Sequence, residues 1–158
     1  MRKKRGFLFH VLLVMVLAVY LSGCRESDVS PEAAEDEIKM EIELDVKEDI
    51  GLLILDNKVD GTETGGGISN ADRSKLKHDE VLYWSLSKRE YKAVADAVDL
   101  SVRFRVITEY CDPNHENQYP EEYTVSLDPI SFQAEFGKTY HITITGNRES
   151  GYQATLDE

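Results

Sequence analysis

The sequence predicts a mostly β protein whose folded part, residues 38–158, is a single antiparallel β-sandwich. Short segments in which apolar and polar residues alternate with a period of two predict strands with one face on a core and the other in water. Clusters of Gly, Pro, Asn and Asp separate these segments and predict turns between strands. Strand and helix patterns do not alternate along the chain, which argues against the parallel sheet of an α/β domain.

Residues 1–23 have the layout of a secretory signal peptide. Basic residues at positions 2–5 precede an apolar run at positions 7–21, and small residues follow it. A helix needs roughly 20 apolar residues to cross a bilayer. The run is therefore too short for an uncleaved transmembrane anchor.

The segment Leu21-Ser22-Gly23-Cys24 resembles the lipobox of bacterial lipoproteins, in which a leucine stands three positions before a cysteine with two small residues between. The resemblance implies that the Cys24 thiol receives a diacylglyceryl group, that the signal peptide is cut before Cys24, and that the new amino terminus is acylated too. Two buried acyl chains, at roughly 0.8 kcal/mol per CH₂, hold a protein on a bilayer for long times, whereas one chain gives only marginal membrane residence. Cys24 thus implies a lipoprotein on the outer face of the cell membrane, or on an outer-membrane leaflet in a Gram-negative bacterium.

Residues 24–37 predict the lipidated cysteine followed by a disordered acidic stalk, because this stretch is polar and has almost nothing to bury. Without residues 1–23 the chain has 14 basic and 30 acidic residues, a formal net charge of −16. Such a surface repels nucleic acids, so no nucleic-acid partner is expected. Once Cys24 is acylated, Cys111 has no partner for an intramolecular disulfide. It is either a buried apolar residue or a reactive thiol.

The first strand is predicted at residues 38–47, where apolar and charged residues alternate, and the second at the apolar run 52–55. Turn signals follow at Asp56-Asn57 and at Asp60-Gly61. Residues 62–78 contain three adjacent glycines and predict a long loop or a loosely extended segment, because such a stretch loses too much backbone entropy to form a helix.

A third strand at residues 81–87 places Leu82, Trp84 and Leu86 on one face, which we assign to the core, and leaves Tyr83 near the surface. Apolar residues with helical spacing follow, after a serine that is a good N-cap with a glutamate three positions on. They predict a short helix over residues 87–97. The alternation then resumes and predicts five more strands, at 100–110, 123–127, 130–136, 140–145 and 152–156, with a hairpin loop at 146–151.

Residues 136–146, with the sequence Phe-Gly-Lys-Thr-Tyr-His-Ile-Thr-Ile-Thr-Gly, resemble the late strands of bacterial immunoglobulin-like and transthyretin-like surface modules. The resemblance implies a sandwich of one of these two types. It implies no function, because such folds serve many functions.

No catalytic constellation stands out, and the protein is not expected to be an enzyme. Nucleophilic catalysis needs a nucleophile, a base and an orienting acid. The mature chain has only His78, His115 and His141, and it lacks a Gly-x-Ser-x-Gly elbow. Cys111 and His115 lie close in sequence and suggest a thiolate relay or half of a metal site, but no second motif supports either.

Two other kinds of site are suggested by residue type. Oxygen donors on glycine-bearing loops are what calcium requires, although the same residues form ordinary turns. The calcium candidates are Asp56, Asn57 and Asp60 in one group and Asn70 and Asp72 in another. Among the aromatic residues, Tyr119 and Tyr83 are the candidates for an exposed binding surface, whereas Trp84 is expected in the core.

Taken together, these patterns favour a membrane-anchored binding module that contacts an envelope protein, a peptide or a glycan. A hydrolase acting on envelope material and a purely structural spacer are the alternatives. A transporter's two-lobed substrate-binding lipoprotein is excluded by size, because 135 mature residues have room for one ordinary domain.

Overall fold

The computed structural model describes residues 32–93, 95–109 and 119–157. Within them the chain is mostly β, which confirms that prediction, and nine strands form two sheets. The strands are β1 (Glu37–Val46), β2 (Leu52–Val59), β3 (Thr62–Ile68), β4 (Val81–Ser87), β5 (Ala97–Ile107), β6 (Thr124–Ser126), β7 (Ile130–Glu135), β8 (Thr139–Asn147) and β9 (Gly151–Leu156). The signal peptide, Cys24, Cys111 and His115 lie outside the described residues, as does the linker up to Pro31.

The first sheet has the strand order β4-β1-β8-β9, and the second has the order β3-β2-β5 with both β6 and β7 pairing along the far side of β5. Neighbouring strands are antiparallel except β1 and β8, which run parallel. The prediction of a purely antiparallel fold is therefore wrong at this pair. Strands that pair in parallel cannot be joined by a hairpin, and here most of the domain lies between β1 and β8.

The core takes side chains from both sheets. Apolar residues of β1, from Ile38 to Leu44, are fully buried and cluster with inward residues of β5, among them Leu100 and Phe104. The alternation that predicted these strands thus identifies their buried faces correctly. Burying a Leu, Ile or Phe side chain contributes roughly 1.5–3 kcal/mol, and this shared core is what stabilises the two sheets against unfolding.

Strand β2 is longer than the sequence predicts. Asp56 and Asn57 lie inside it, paired with β3 on one side and β5 on the other, so the turn predicted there is wrong. The predicted turn at Asp60-Gly61 is confirmed. Both residues have positive φ, 46° and 86°, and they connect Val59 directly to its cross-strand partner, as in a two-residue type I′ hairpin.

Residues 62–68, predicted to be loop or loosely extended, form the edge strand β3. The glycines are accommodated because β3 pairs with β2 over seven residues. Gly66 also gives room to the Trp84 ring of β4, with which a Cβ at this position would collide. Residues 69–78 are the part of the predicted loop that has no strand, and they belong to a longer loop of residues 69–80. An isolated bridge between Ile50 and Leu76 joins this loop to the rest of the domain.

The helix predicted over residues 87–97 is wrong in the part of this segment that the structure describes. The chain instead makes successive turns, in which Glu90 N–H donates to the Ser87 carbonyl at 3.0 Å and Lys92 has a positive φ of 52°. Tyr91 is still buried, so the apolar spacing that suggested a helix reflects one inward side chain on a turn. Over the described ranges, no helix is both long and apolar enough to cross a membrane.

Candidate functional site

A groove of about 620 Å³ crosses the outer face of the five-stranded sheet, the face turned away from the core. We call it the sheet groove. Because side chains alternate along a strand, outward residues of three adjacent strands meet here. They are Asp56 and Lys58 of β2, Glu63 and Gly65 of β3, and Ser101 and Arg103 of β5.

Gly65 deepens the groove beside β2. A Cβ built at this glycine would lie 3.0 Å from the Leu55 carbonyl oxygen and 3.4 Å from Asp56 Oδ1. Any side chain here would therefore cover the backbone and the Asp56 carboxylate. Gly65, one of the three adjacent glycines that cost backbone entropy in a strand, thus keeps this surface open.

The charges in the groove are unevenly paired. Arg105 donates to both oxygens of Asp56, from Nε at 2.9 Å and from Nη2 at 3.0 Å. Lys58 Nζ lies 3.5 Å from Glu63 Oε1, and both of these side chains are exposed. This ion pair therefore contributes little to stability. Arg103 stands directly opposite Asp56 in the β2–β5 register and is exposed, yet it has no hydrogen bond or ion pair with a described residue. Its guanidinium is thus available to a ligand.

A second cavity of about 410 Å³ continues the groove towards β7. The two cavities share Lys58 and Ser101, and Ser131 of β7 donates its hydroxyl to the Ser101 hydroxyl at 2.9 Å. The polar surface therefore extends across four strands.

The outer face of the four-stranded sheet carries a cavity of about 490 Å³. Unlike those of the sheet groove, its charged lining residues are mainly acidic. Glu41 lies at its centre, with Lys39 Nζ 3.1 Å from one oxygen and His141 Nδ1 3.3 Å from the other. Lys39 is only 5% exposed and also lies 4.6 Å from the centre of the Tyr83 ring. The carboxylate and the amine are thus already engaged within the fold. We call this the acidic face.

The described histidines are far apart. The backbone oxygen of His78 accepts a hydrogen bond from Val46 N of β1, whereas His141 is the cross-strand partner of Glu41 on the same strand. Five residues of β1 separate these levels, about 17 Å at roughly 3.4 Å per residue. His78 instead pairs with Asp49, Nδ1 to Oδ1 at 2.9 Å, and this contact raises the pKa of His78. Hydrogen bonds from Lys77 and His78 lower the pKa of Asp49.

The first group of calcium candidates does not converge. Asp56 points outward into the sheet groove, while Asn57 is on the opposite face of the strand and 2% exposed. In the part of the chain that the structure describes, the Asn57 amide has no hydrogen-bond partner. Asp60 Oδ1 accepts the Asp99 N–H at 3.0 Å.

The second group makes turn contacts. Asn70 donates to Ser74 Oγ, and Asp72 accepts from the N–H and hydroxyl of Ser74. Among the residues that the structure describes, no three His, Cys, Asp or Glu side chains are grouped so that they could hold a metal ion. Calcium binding remains a prediction.

The aromatic candidates differ in exposure. Tyr83 is 50% exposed, as predicted. Tyr119 was expected to be exposed but is half-buried against Leu52, Ile54 and Ile107, because the outer face of β2 is apolar at this end. Trp84 packs partly buried against the core.

Sequence reasoning missed the groove residues Lys58, Ser101 and Arg103. The one signal was the outward pair Arg103 and Arg105 on a strand of an otherwise acidic chain. Whether each arginine is available to a ligand depends on which carboxylate it contacts. The register between β5 and β2 determines those contacts.

No protein-family model matches the chain, and no curated protein is significantly similar to it. Among solved structures, it is similar to a non-hemolytic pneumolysin from Streptococcus pneumoniae strain ST306 (TM-score 0.38, 14% identity) and to listeriolysin O (TM-score 0.37, 13% identity). Each match covers 77% of this chain but only 23% of the other, so the chain spans about a quarter of their length. The membrane-binding domain of pneumolysin has a TM-score of 0.37 and 14% identity, over 77% of this chain and 96% of that domain. Likenesses at this level assign the chain neither a family nor a function.

Proposed function

We propose that the protein is a bacterial surface lipoprotein, anchored through Cys24, whose β domain is a binding module with the sheet groove as its ligand site. The lipid would hold it on the outer face of the cell membrane, or on an outer-membrane leaflet in a Gram-negative bacterium. The observation that carries the binding role is Arg103, an exposed guanidinium in a polar groove with no partner among the described residues. A concave surface on which a few polar groups converge is the usual candidate for a ligand site.

We further propose that the domain is a sandwich of the immunoglobulin-like or transthyretin-like type. Two sheets that share one core support this assignment, and the segment that resembles such modules forms β8. The parallel pairing of β1 and β8 is a departure that either type would have to include.

The anchor is tested by labelling cells with radioactive palmitate. The wild type and Cys111→Ala should incorporate label, because Cys111 lies outside the lipobox, whereas Cys24→Ala should not. Label on Cys24→Ala would refute the anchor.

The binding site is tested in intact cells with a photo-crosslinking amino acid in the full-length lipoprotein. Position 101 lies in the sheet groove, and position 155, on β9 of the other sheet, is the matched control. An envelope protein, peptide or glycan captured from position 101 and not from 155 supports the proposal. Equal capture from both positions contradicts the groove as the site, and no capture from either favours a spacer.

Hydrolysis of envelope material is a second candidate function, favoured by His141 beside Glu41 in the cavity of the acidic face. A histidine held by a carboxylate can act as a general base. If the purified lipoprotein solubilises cell-wall material, His141→Ala should abolish the activity and His78→Ala should leave it intact. If the wild-type protein does not solubilise cell-wall material, the hydrolase hypothesis is refuted.

A further inference from the structure

We propose that the sheet groove binds a hydroxyl-rich acidic chain, a glycan or polyol polymer whose carboxylate or phosphate group is held by Arg103. This inference rests on the proposed function and specifies its ligand. It goes beyond the binding role by naming the chemical group that is recognised.

The charge balance of the groove points to an anion. The lining residues include two cations, Lys58 and Arg103, and two carboxylates, Asp56 and Glu63. Arg105, which is not a lining residue, pairs with Asp56, and Lys58 lies near Glu63, so Arg103 is the lining cation left without a described carboxylate. Asp56 bonds Arg105 through both of its oxygens and makes no hydrogen bond to Arg103, its direct cross-strand neighbour. A guanidinium forms its strongest contacts as paired hydrogen bonds with a planar carboxylate or with phosphate.

The acidity of the rest of the protein does not prevent such binding. The mature chain has a formal charge of −16, which slows the approach of an anion from a distance. At physiological salt, however, charges are screened beyond about 8 Å. Within that distance, Asp56 and Glu63 are paired with other cations, and Arg103 is the charge that the described residues leave for an anion.

The walls of the groove fit a sugar-like chain better than a peptide. Strand β2 lies between β3 and β5, and β5 lies between β2 and the pair β6 and β7, so the backbone groups of β2 and β5 are already bonded within the sheet. A peptide strand could be added to the described sheet only along an outer edge, at β3 or at β6 and β7, and none of these edges belongs to the strand that carries Arg103. The side chains offer carboxylate, hydroxyl and ammonium groups, which match hydroxyls along a ligand. The adjoining cavity, which shares Lys58 and Ser101, gives room for a second unit of the chain.

Binding is measured by titrating the full-length lipoprotein, in detergent micelles, with trigalacturonate. The fully methyl-esterified trigalacturonate is the neutral reference, and a short poly(glycerol phosphate) tests phosphate as the source of charge. Trigalacturonate or poly(glycerol phosphate) should bind, whereas the ester should bind at least about tenfold more weakly, since it lacks the charge that Arg103 recognises. Tighter binding of one charged probe identifies which anion is preferred.

Arg103→Gln should weaken binding of the charged probe at least about tenfold. Arg103→Lys should weaken it by less, because lysine keeps the positive charge and loses only the paired hydrogen bonds of the guanidinium. Arg89→Gln is the matched control, an exposed arginine in the turn after β4. Equal melting temperatures of the variants show that folding is intact. If Arg103→Gln does not fold, Ser101→Asp places a negative charge beside the same guanidinium and should weaken the probe in the same way.

Several results would overturn the inference. The first two are binding of the methyl ester as tightly as of trigalacturonate, and an Arg103→Gln variant that binds the charged probe as tightly as the wild type does. The other two are tighter binding of hexaglutamate than of either charged probe, and no binding of either charged probe. If the crosslinker at position 101 still captures an envelope molecule, these results refute the acidic ligand and leave the binding module standing. Loss of that crosslink refutes the binding module itself.

Discussion

The outer faces of the two sheets carry similar numbers of charged side chains and use them differently. On the acidic face, Glu41 has Lys39 on one oxygen and His141 near the other, and Lys39 is almost completely buried. In the sheet groove, Arg105 takes both oxygens of Asp56, and Arg103 is exposed with no partner among the described residues. The comparison teaches that exposure and pairing, and not the number of charges, separate a charged side chain that supports the fold from one that is available to a ligand.

The largest expected effect is on the acidic face. Lys39→Ala removes a buried amine and leaves Glu41 without it, which we expect to lower the free energy of unfolding by about 2–3 kcal/mol. Urea denaturation of the full-length lipoprotein measures the change. Lys58→Ala, the matched lysine of the groove, should change it by less than about 0.5 kcal/mol. Equal losses in the two variants would remove the distinction between the faces.

Arg105→Gln tests how the groove is arranged. It breaks the paired hydrogen bonds to Asp56 between two partly exposed side chains, and we expect a loss of about 1 kcal/mol in the same urea experiment. It also frees Asp56 to pair with Arg103, so trigalacturonate or poly(glycerol phosphate) should bind more weakly. Arg105→Lys, which keeps the charge and loses the fork, is the control. Stronger binding of a charged probe to Arg105→Gln would contradict the arrangement.

A pH series tests a contact that belongs to neither outer face, the one between Asp49 and His78 of the loop of residues 69–80. The pKa of His78 is raised by its hydrogen bond with Asp49, which stays ionised because its own pKa is lowered. The contribution of His78 to stability is therefore fully present below its ordinary pKa of about 6.5 and is lost as the pH rises through the higher folded value. Between pH 5.5 and 8.5 the midpoint of urea unfolding should fall more in the wild type than in His78→Gln. Parallel profiles would show that the contact does not form in solution.

The smallest expected effect on stability is that of Arg103→Gln. Since Arg103 has no described partner, its removal should change the free energy of unfolding by no more than about 0.5 kcal/mol. A loss above about 1 kcal/mol would show that Arg103 is bonded within the fold, and the contrast between the two faces would fail.

Much of the fold could be predicted because the alternation of apolar residues is a local signal of burial. The inward faces of β1, β4 and β5 were identified from it. The errors fall where distant partners outweigh local preference. Asp56-Asn57 has the composition of a turn, yet strands on both sides hold it in β2.

The same reasoning explains why the candidate site was missed. Arg103 and Arg105 have the same residue type and point to the same face, so sequence alone treats them alike. They differ because Arg105 lies diagonally opposite Asp56 and takes both of its oxygens. A binding surface that depends on strand register cannot be predicted before the register is known.

The contact between Trp84 and Gly66 gives the protein a built-in optical reporter. Trp84 is the only tryptophan in the chain, and it joins β4, an edge of one sheet, to β3, an edge of the other. Its fluorescence will therefore shift when these two edges separate, even if the centres of both sheets remain intact. Comparing this emission with the far-ultraviolet circular dichroism of the strands during denaturation will distinguish opening along one side of the domain from loss of the whole fold.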